Sequence, residues 1–424
     1  MAPSLTNLKI SRPLTLKSGL VLPNRLVKAA MAEWLCDFET KLPSERLNSL
    51  SKFWAKGGWG MLITGNIEID PRHMGSPDDV AIDPNQPIDD ILPYFTRWAE
   101  SFRGSSSFDD NEKRTPVLVQ INHPGRQSPR GAGSRGFFEQ SVAPSAVPIN
   151  WGPGVLPWLI RTLVFGTPRE LLESEIEEIV RNFAHSARVL AEAGFDGVQI
   201  HAAHGYLLSQ FLSKETNLRG DKYGGNAEKR ATVVVEVIEA VKEATRGFKG
   251  FTVGIKVNSA DFEREGEMED VVKQLKLIVE AGVDFVEVSG GTYENPSMSY
   301  GLEGKKSERT KAREAFFLEF SSLARRELPE VPLMVTGGFT TRLGMEAAVA
   351  QGDCELVGLG RPAVLNPTLP NNTIFNKEVK DEDAKVYRRK NEPSWLIRQL
   401  GIKAVGAGAD TTWYTKQLQN LASS

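Results

Sequence analysis

Residues 174–201 read SEIEEIVRNFAHSARVLAEAGFDGVQIH, and the rest of the chain repeats their pattern. The amphipathic segment Ser174 to Ala193 predicts a helix, and Gly194 supplies the usual residue for a left-handed helix C-cap. The run Gly197 to His201 then predicts a strand. Working outward, further strands are expected at Leu26 to Ala30, Met61 to Gly65, Val117 to Ile121, Phe251 to Val257, Asp284 to Val288, Pro332 to Thr336 and Glu355 to Leu359. Between them, helices are expected near Ser44 to Lys56, Ile88 to Arg103, Ala227 to Thr245, Met268 to Ala281, Lys311 to Glu327 and Arg342 to Gln351, with Gly57, Gly282 and Gly352 as further C-caps. Eight strands alternating with helices predict an α/β fold, a single (β/α)8 TIM barrel. A doubly wound sheet would more often have about five to seven strands and a Gly-rich first turn.

The segment His123 to Pro168, rich in Gly, Pro and Ser, interrupts the third unit and predicts a long loop inserted after strand 3, over one mouth of the barrel. Residues 1–370 are assigned to the barrel. Residues 371–424 are assigned to a C-terminal extension packing on it rather than to a separate domain, with Trp395 to Leu400 and Trp413 to Leu421 as its docking segments. The chain has 424 residues, and 51 basic against 54 acidic side chains give a net charge of −3 without a polybasic block. That balance argues against nucleic acid and against an anionic membrane as partners. The two cysteines, Cys36 and Cys354, exclude a disulfide framework, a Cys-rich zinc site and a four-cysteine iron–sulfur cluster. With no leader pattern at the start and no run of about 18 apolar residues, the expectation is a soluble, cytoplasmic protein in which an oligomer is possible.

In this architecture the reacting groups come from the C-terminal ends of the strands. Strand 3 ends with Gln120, strand 4 with His201, and strand 5 carries Lys256. Strands 6, 7 and 8 run into Ser289-Gly290-Gly291, Gly337-Gly338 and Gly360-Arg361. Bare backbone N–H groups at the last two turns, with the Arg361 guanidinium, form a phosphate clamp in the expected place; a mere tight turn is the plainer alternative. His201-Ala202-Ala203-His204-Gly205-Tyr206 sets two imidazoles and a phenol within six residues, and a spacing of three lets both imidazoles face one side of a helical turn. A metal pair is weak, because no third ligand is in view and Ala202-Ala203 stand where a zinc protease places its Glu; no metal is assigned. Lys256 stays open between a Schiff-base nucleophile, a fixed cation beside a cofactor and a lysine paired with a carboxylate such as Glu287.

From Leu14 to Pro367 the chain resembles the Old Yellow Enzyme family, FMN-dependent NAD(P)H oxidoreductases built on one such barrel. Four pieces carry the likeness: Leu22-Pro23-Asn24-Arg25-Leu26-Val27 leading to Ala30-Met31; Val119-Gln120-Ile121-Asn122-His123-Pro124-Gly125-Arg126; His201 to Leu208 with Asp221-Lys222-Tyr223-Gly224-Gly225-Asn226; and Gly358-Leu359-Gly360-Arg361-Pro362.

The resemblance implies FMN as cofactor and NADH or NADPH as reductant, the nicotinamide visiting the same pocket as a small-molecule substrate. Gln120 would hold the pyrimidine edge of the flavin, Gly65, Ala30 and Met31 would line the ring, and Gly338, Gly360 and Arg361 would bind the phosphate. Lys256 stands where many members carry Arg, beside flavin N1 and O2. His201 and His204 would polarise a substrate carbonyl and Tyr206 would protonate its α-carbon, so that an α,β-unsaturated carbonyl compound is reduced at its C=C bond. Ala32 departs from the Thr or Cys that relatives place near flavin O4, so a redox-tuning contact is missing there. Other readings are a flavin-dependent isomerase on the same fold, a flavin-free lyase using Lys256 as a Schiff base, and a non-catalytic binding protein.

Overall fold

All eight expected strands form, as β1 (Leu26–Lys28), β2 (Met61–Glu68), β3 (Val117–Asn122), β4 (Gly197–Ala202), β5 (Thr252–Asn258), β6 (Phe285–Ser289), β7 (Leu333–Thr336) and β8 (Leu356–Leu359). The computed structural model describes residues 8–103, 114–152, 154–258, 267–289, 325–389 and 403–423. Each strand pairs in parallel with the next, and Val357 of β8 pairs with Leu26 of β1, which closes the barrel. β1 ends two residues before Ala30. β2 outruns its expected end at Gly65 through an irregularity between Ile63 and Asn66 that shifts its register against β3.

Side chains alternate across a strand, and in a closed barrel one set must fill the inside. Val27, Met61, Ile63, Leu118, Phe285, Met334 and Leu356 form one buried apolar cluster, and only the barrel interior can join strands so far apart around the ring. Leu16 and Leu22, from a hairpin of Leu14–Thr15 with Val21–Leu22, belong to the same cluster. Gly254 on β5 makes room for it, since a Cβ there would lie 2.2 Å from the Phe285 ring. Two residues further along the same faces the character changes, to Gly65, Gln120, Lys256, Glu287, Thr336 and Gly358. The floor of the barrel is apolar and its upper layer is polar or small.

Outside the strands lie α1 (Glu45–Ala55), α2 (Ile88–Ser101), α3 (Val155–Val164), α4 (Glu173–Glu192), α5 (Leu207–Leu212), α6 (Ala227–Thr245), α7 (Glu267–Glu280), α8 (Arg342–Gln351), α9 (Arg361–Leu365) and α10 (Lys403–Leu421). Ser44, Asn226 and Thr341 cap α1, α6 and α8 by accepting a backbone N–H with their side-chain oxygens. Gly194, Gly282 and Gly352 take the expected left-handed conformation, with φ of +92°, +97° and +84°. After α1 that role falls to Gly58 rather than Gly57, with φ of +77° and a Cβ position 2.0 Å from Asn371 Oδ1. The insertion after β3 is more ordered than a loop: it contains α3, and its strand Val142–Ala143 pairs with Arg169–Glu170. The expected helix Lys311 to Glu327 lies mostly outside the described residues, as do Gly290-Gly291 and Trp395 to Leu400.

Arg342 fastens the polar stretch after α9 to the barrel. Its side chain is 1% exposed and donates to the carbonyls of Thr373, Ile374, Asn376 and Val379 and to the Asp381 carboxylate. Truncation leaves those partly buried acceptors unmet around a cavity, so Arg342→Ala should cost about 3 kcal/mol, and Arg342→Lys should recover only part because an ammonium lacks the planar fork. Urea unfolding checks this; an unchanged midpoint for Arg342→Ala would contradict it.

Candidate active site at the barrel mouth

His201 is the penultimate residue of β4 with its side chain buried, and its Nδ1 accepts the Ala203 N–H at 3.2 Å, which fixes the ring proton on Nε2. The chain then turns sharply. His204 has φ of +60° and Gly205 of +74°, and α5 starts only at Leu207, with Tyr206 as its N-cap. The two histidines therefore converge through a left-handed turn, not through one face of a helical turn as their spacing suggested. The ring centroids of His201 and His204 lie 5.0 Å apart, and those of His201 and Tyr206 lie 4.8 Å apart, both edge to face. His204 Nε2 meets Ser289 Oγ of β6 at 3.1 Å, and Gln127 Nε2 donates to the His204 carbonyl at 2.8 Å. Burial holds both imidazoles well below their ordinary pKa, with the His204 ring and the Lys256 charge adding to this at His201 and the Lys256 charge at His204. Both are neutral N–H donors at neutral pH.

Behind them stands a buried polar chain. Lys256 is in register with His201 on one side and Glu287 on the other, and its Nζ lies 3.1 Å from Glu287 Oε1. Glu287 Oε2 accepts from Gln199 Nε2 at 2.7 Å, and Gln199 Oε1 accepts from Gln120 Nε2 at 2.5 Å. Of the three readings of Lys256, the paired one is observed. Gln199 escaped the sequence reading; its signal was a polar residue one alternation before His201 in an otherwise apolar strand.

The loop after β1 supplies a second surface. Ala30, Met31 and Ala32 follow the strand, and the Glu33 carboxylate accepts the Gly65 N–H with both oxygens, at 3.0 and 2.9 Å, and faces Lys28 Nζ at 3.4 Å. Burial pushes Glu33 up and Lys28 down, each opposed by the other's charge. A Cβ on Gly65 would come within 2.3 Å of Glu33 Oε2 and 2.5 Å of the Met31 carbonyl, so only glycine fits there. Glu33 too was missed, as one acidic residue in a polar stretch.

At the end of β7, Gly337 and Gly338 have φ of +109° and +80°, and a Cβ on Gly337 would meet nothing within 4 Å. After β8, Gly360 lies against Met31, whose Sδ would be 3.0 Å from a Cβ there. Arg361 Nη1 donates to Asp410 of α10 at 3.0 Å. The same helix donates from Thr415 Oγ1 to the Ala32 carbonyl at 3.0 Å and from Gln419 Nε2 to the Trp34 carbonyl at 3.3 Å. The extension thus holds both the β1 loop and Arg361, the first residue of α9.

Ligand atoms of Asp70, His73 and His123 lie within 4.8 Å of one another, but their lone pairs are engaged. Arg72 takes the Asp70 carboxylate through its backbone N–H, Nε and Nη2. His123 Nδ1 accepts the Gly125 N–H, which puts the proton on Nε2, and Arg135 stands 3.4 Å from His73 Nδ1. This cationic surround suits no metal ion.

The mouth fits FMN. Gln120 offers an amide, Lys256 an ammonium, the β7 turn an open backbone at Gly337 and the β8 turn the Arg361 guanidinium, the donor set for a ring with a polar edge and a terminal phosphate.

Residues 9–378 match the NADH:flavin oxidoreductase / NADH oxidase family. The chain is similar to the NADH-dependent flavin oxidoreductase iliE of Hypocrea jecorina, 44% identical over 96% of this chain and 99% of the relative. It is likewise similar to the protein of that name from Neonectria sp., 45% identical over 97% of this chain, but spans only 54% of that relative's length. Morphinone reductase shares the fold, with a TM-score of 0.67 at 23% identity over 93% of this chain and 94% of that one. A sequence matched along most of its length leads to one conclusion: the chain belongs to the NADH:flavin oxidoreductase / NADH oxidase family and is an FMN-dependent oxidoreductase that uses NADH or NADPH.

Proposed function

We propose that the enzyme reduces the C=C bond of small α,β-unsaturated carbonyl compounds, and that the convergence of His201, His204 and Tyr206 over the Lys256 layer is the observation that carries this reading. Bound FMN supplies the redox chemistry, accepting a hydride from NADH or NADPH and delivering one to an electron-poor carbon. Gln120 would hold the pyrimidine edge, and Gly65 with Ala30, Met31 and Ala32 would flank the ring. Lys256 would face N1 and O2, and Gly338, Gly360 and Arg361 would hold the phosphate. His201 would present Nε2–H to the carbonyl oxygen of the substrate; His204, whose Nε2 meets Ser289 Oγ, would present Nδ1–H in the tautomer in which Ser289 donates. Two neutral donors stabilise negative charge developing on that oxygen and deplete the β-carbon. The half-buried Tyr206 phenol supplies the proton for the α-carbon.

A flavin-dependent isomerase would do better without the Tyr206 proton donor. A Schiff-base lyase needs a free amine, whereas Lys256 is engaged by Glu287. A non-catalytic binding protein would have no use for so many buried polar strand ends. We place the enzyme in the cytoplasm. Burial pushes the Cys36 and Cys354 thiols up to about 11 and about 12, which keeps both unreactive, and no helix among the described residues is long and apolar enough to cross a membrane.

Para-substituted phenols should bind as phenolates against the two histidines and give a long-wavelength charge-transfer band with the flavin. His201→Ala and His204→Ala should each weaken that binding at least tenfold; parent-like affinity in both would refute the assignment. Because neither imidazole titrates near neutral pH, the pH dependence of binding between about 6 and 9 should follow the phenol's own ionisation. Tyr206→Phe should leave flavin reduction by NAD(P)H nearly intact while slowing enone reduction roughly 10²- to 10⁴-fold. Stopped-flow absorbance separates the two halves, and equal losses in both would contradict a proton-donor role.

A further inference from the structure

The side chains behind Gln120 can be hydrogen-bonded in only one sense. An ionised carboxylate accepts and never donates, so Glu287 Oε2 must take its bond from the Gln199 amide nitrogen, 2.7 Å away. That orientation turns the Gln199 carbonyl oxygen toward Gln120, whose amide nitrogen then has to donate, at 2.5 Å. The Gln120 carbonyl oxygen is the group left over, with no partner among the described residues. The barrel registers build this path. Gln120 stands opposite Gln199 on β3 and β4, and Lys256 stands opposite Glu287 on β5 and β6. At the level of Gln199, β5 carries Gly254, so no β5 side chain stands between Gln199 and β6. Glu287 and Gln199 are both 0% exposed, so bulk solvent does not compete for these amide groups.

Resting on the flavin assignment above, we propose that Glu287 is a positioning residue of the cofactor site with two outputs. Through Gln199 it fixes the Gln120 amide so that its carbonyl oxygen meets the flavin N3–H, and through Lys256 it offsets the cation facing the pyrimidine edge. The first output sets which edge of the ring is recognised. The second sets how strongly the site prefers the reduced, anionic ring over the oxidised one. Gln199 serves the first output alone, which makes the two separable by mutation.

The test uses flavin-free protein reconstituted with FMN or with 3-methyl-FMN, which lacks the N3–H. The parent should prefer FMN at least tenfold. Gln199→Leu keeps the Lys256–Glu287 pair but frees the Gln120 amide to turn, and this preference should fall to about threefold or less; an unchanged preference would overturn the relay. Glu287→Gln should raise the ratio of oxidised to reduced dissociation constants about tenfold, which is about 30 mV more positive for a two-electron couple. Glu287→Asp should return the potential toward the parent value. An unchanged or more negative potential in Glu287→Gln would overturn the second output, and if that variant does not fold, the Gln199→Leu comparison still decides the first. Stoichiometric FMN binding and the phenol band of the parent report separately on the underlying assignment, which fails if the parent shows neither.

Discussion

Lys256 and Glu287 face each other at 3.1 Å with side chains 5% and 0% exposed, and the polar groups of the barrel mouth are arranged around them. Taking two charges out of water costs several kcal/mol per ion, and mutual attraction repays this only if the remaining hydrogen-bonding positions are also met. Gln199 meets one of them. The pair is therefore poor evidence for stability and better evidence for a constrained geometry, since the Gln199 amide has one orientation in which it donates to Glu287 and accepts from Gln120. Burial keeps His201 and His204 neutral and the same cation adds to it, so the charge layer behind Gln120 also acts on the histidines.

A second constraint comes from outside the barrel. Strands β1 and β8 are neighbours, and Gly360 after β8 lies against Met31 of the loop after β1. Helix α10 bonds to that loop, through Thr415 to Ala32, and through Asp410 to Arg361. Asp410 is buried, so its charge needs Arg361 as much as Arg361 needs orientation. The segment Trp413 to Leu421, expected to dock on the barrel, belongs to a helix that braces the loop after β1 and Arg361.

The barrel was legible because its strands are short β-branched runs and its helices end at glycines, signals that local sterics impose whatever the tertiary context. The polar layer at the strand ends was legible because Gln120, His201 and Lys256 interrupt apolar strands. What escaped depends on through-space partners. Gln199 matters because Glu287 stands two strands away, Glu33 because the β2 irregularity brings the Gly65 N–H to it, and Asp410 because a helix 49 residues later in the chain folds back on Arg361. The HxxH spacing misled for a local reason: His204 adopts a left-handed conformation, and periodicity rules do not apply across such a turn. In the insertion, Gly and Pro content concealed α3, whose apolar residues stay exposed and so gave no core-facing stripe to read.

The most direct test is a high-resolution diffraction structure of the protein with FMN bound. The account predicts the pyrimidine edge within hydrogen-bond distance of Gln120 and Lys256, with the Gln120 carbonyl oxygen on flavin N3–H, Gln199 still bridging to Glu287, and the phosphate at Gly338, Gly360 and Arg361. A flavin whose pyrimidine edge lies beyond about 4 Å from Gln120, or a Gln120 amide turned the other way, would contradict it.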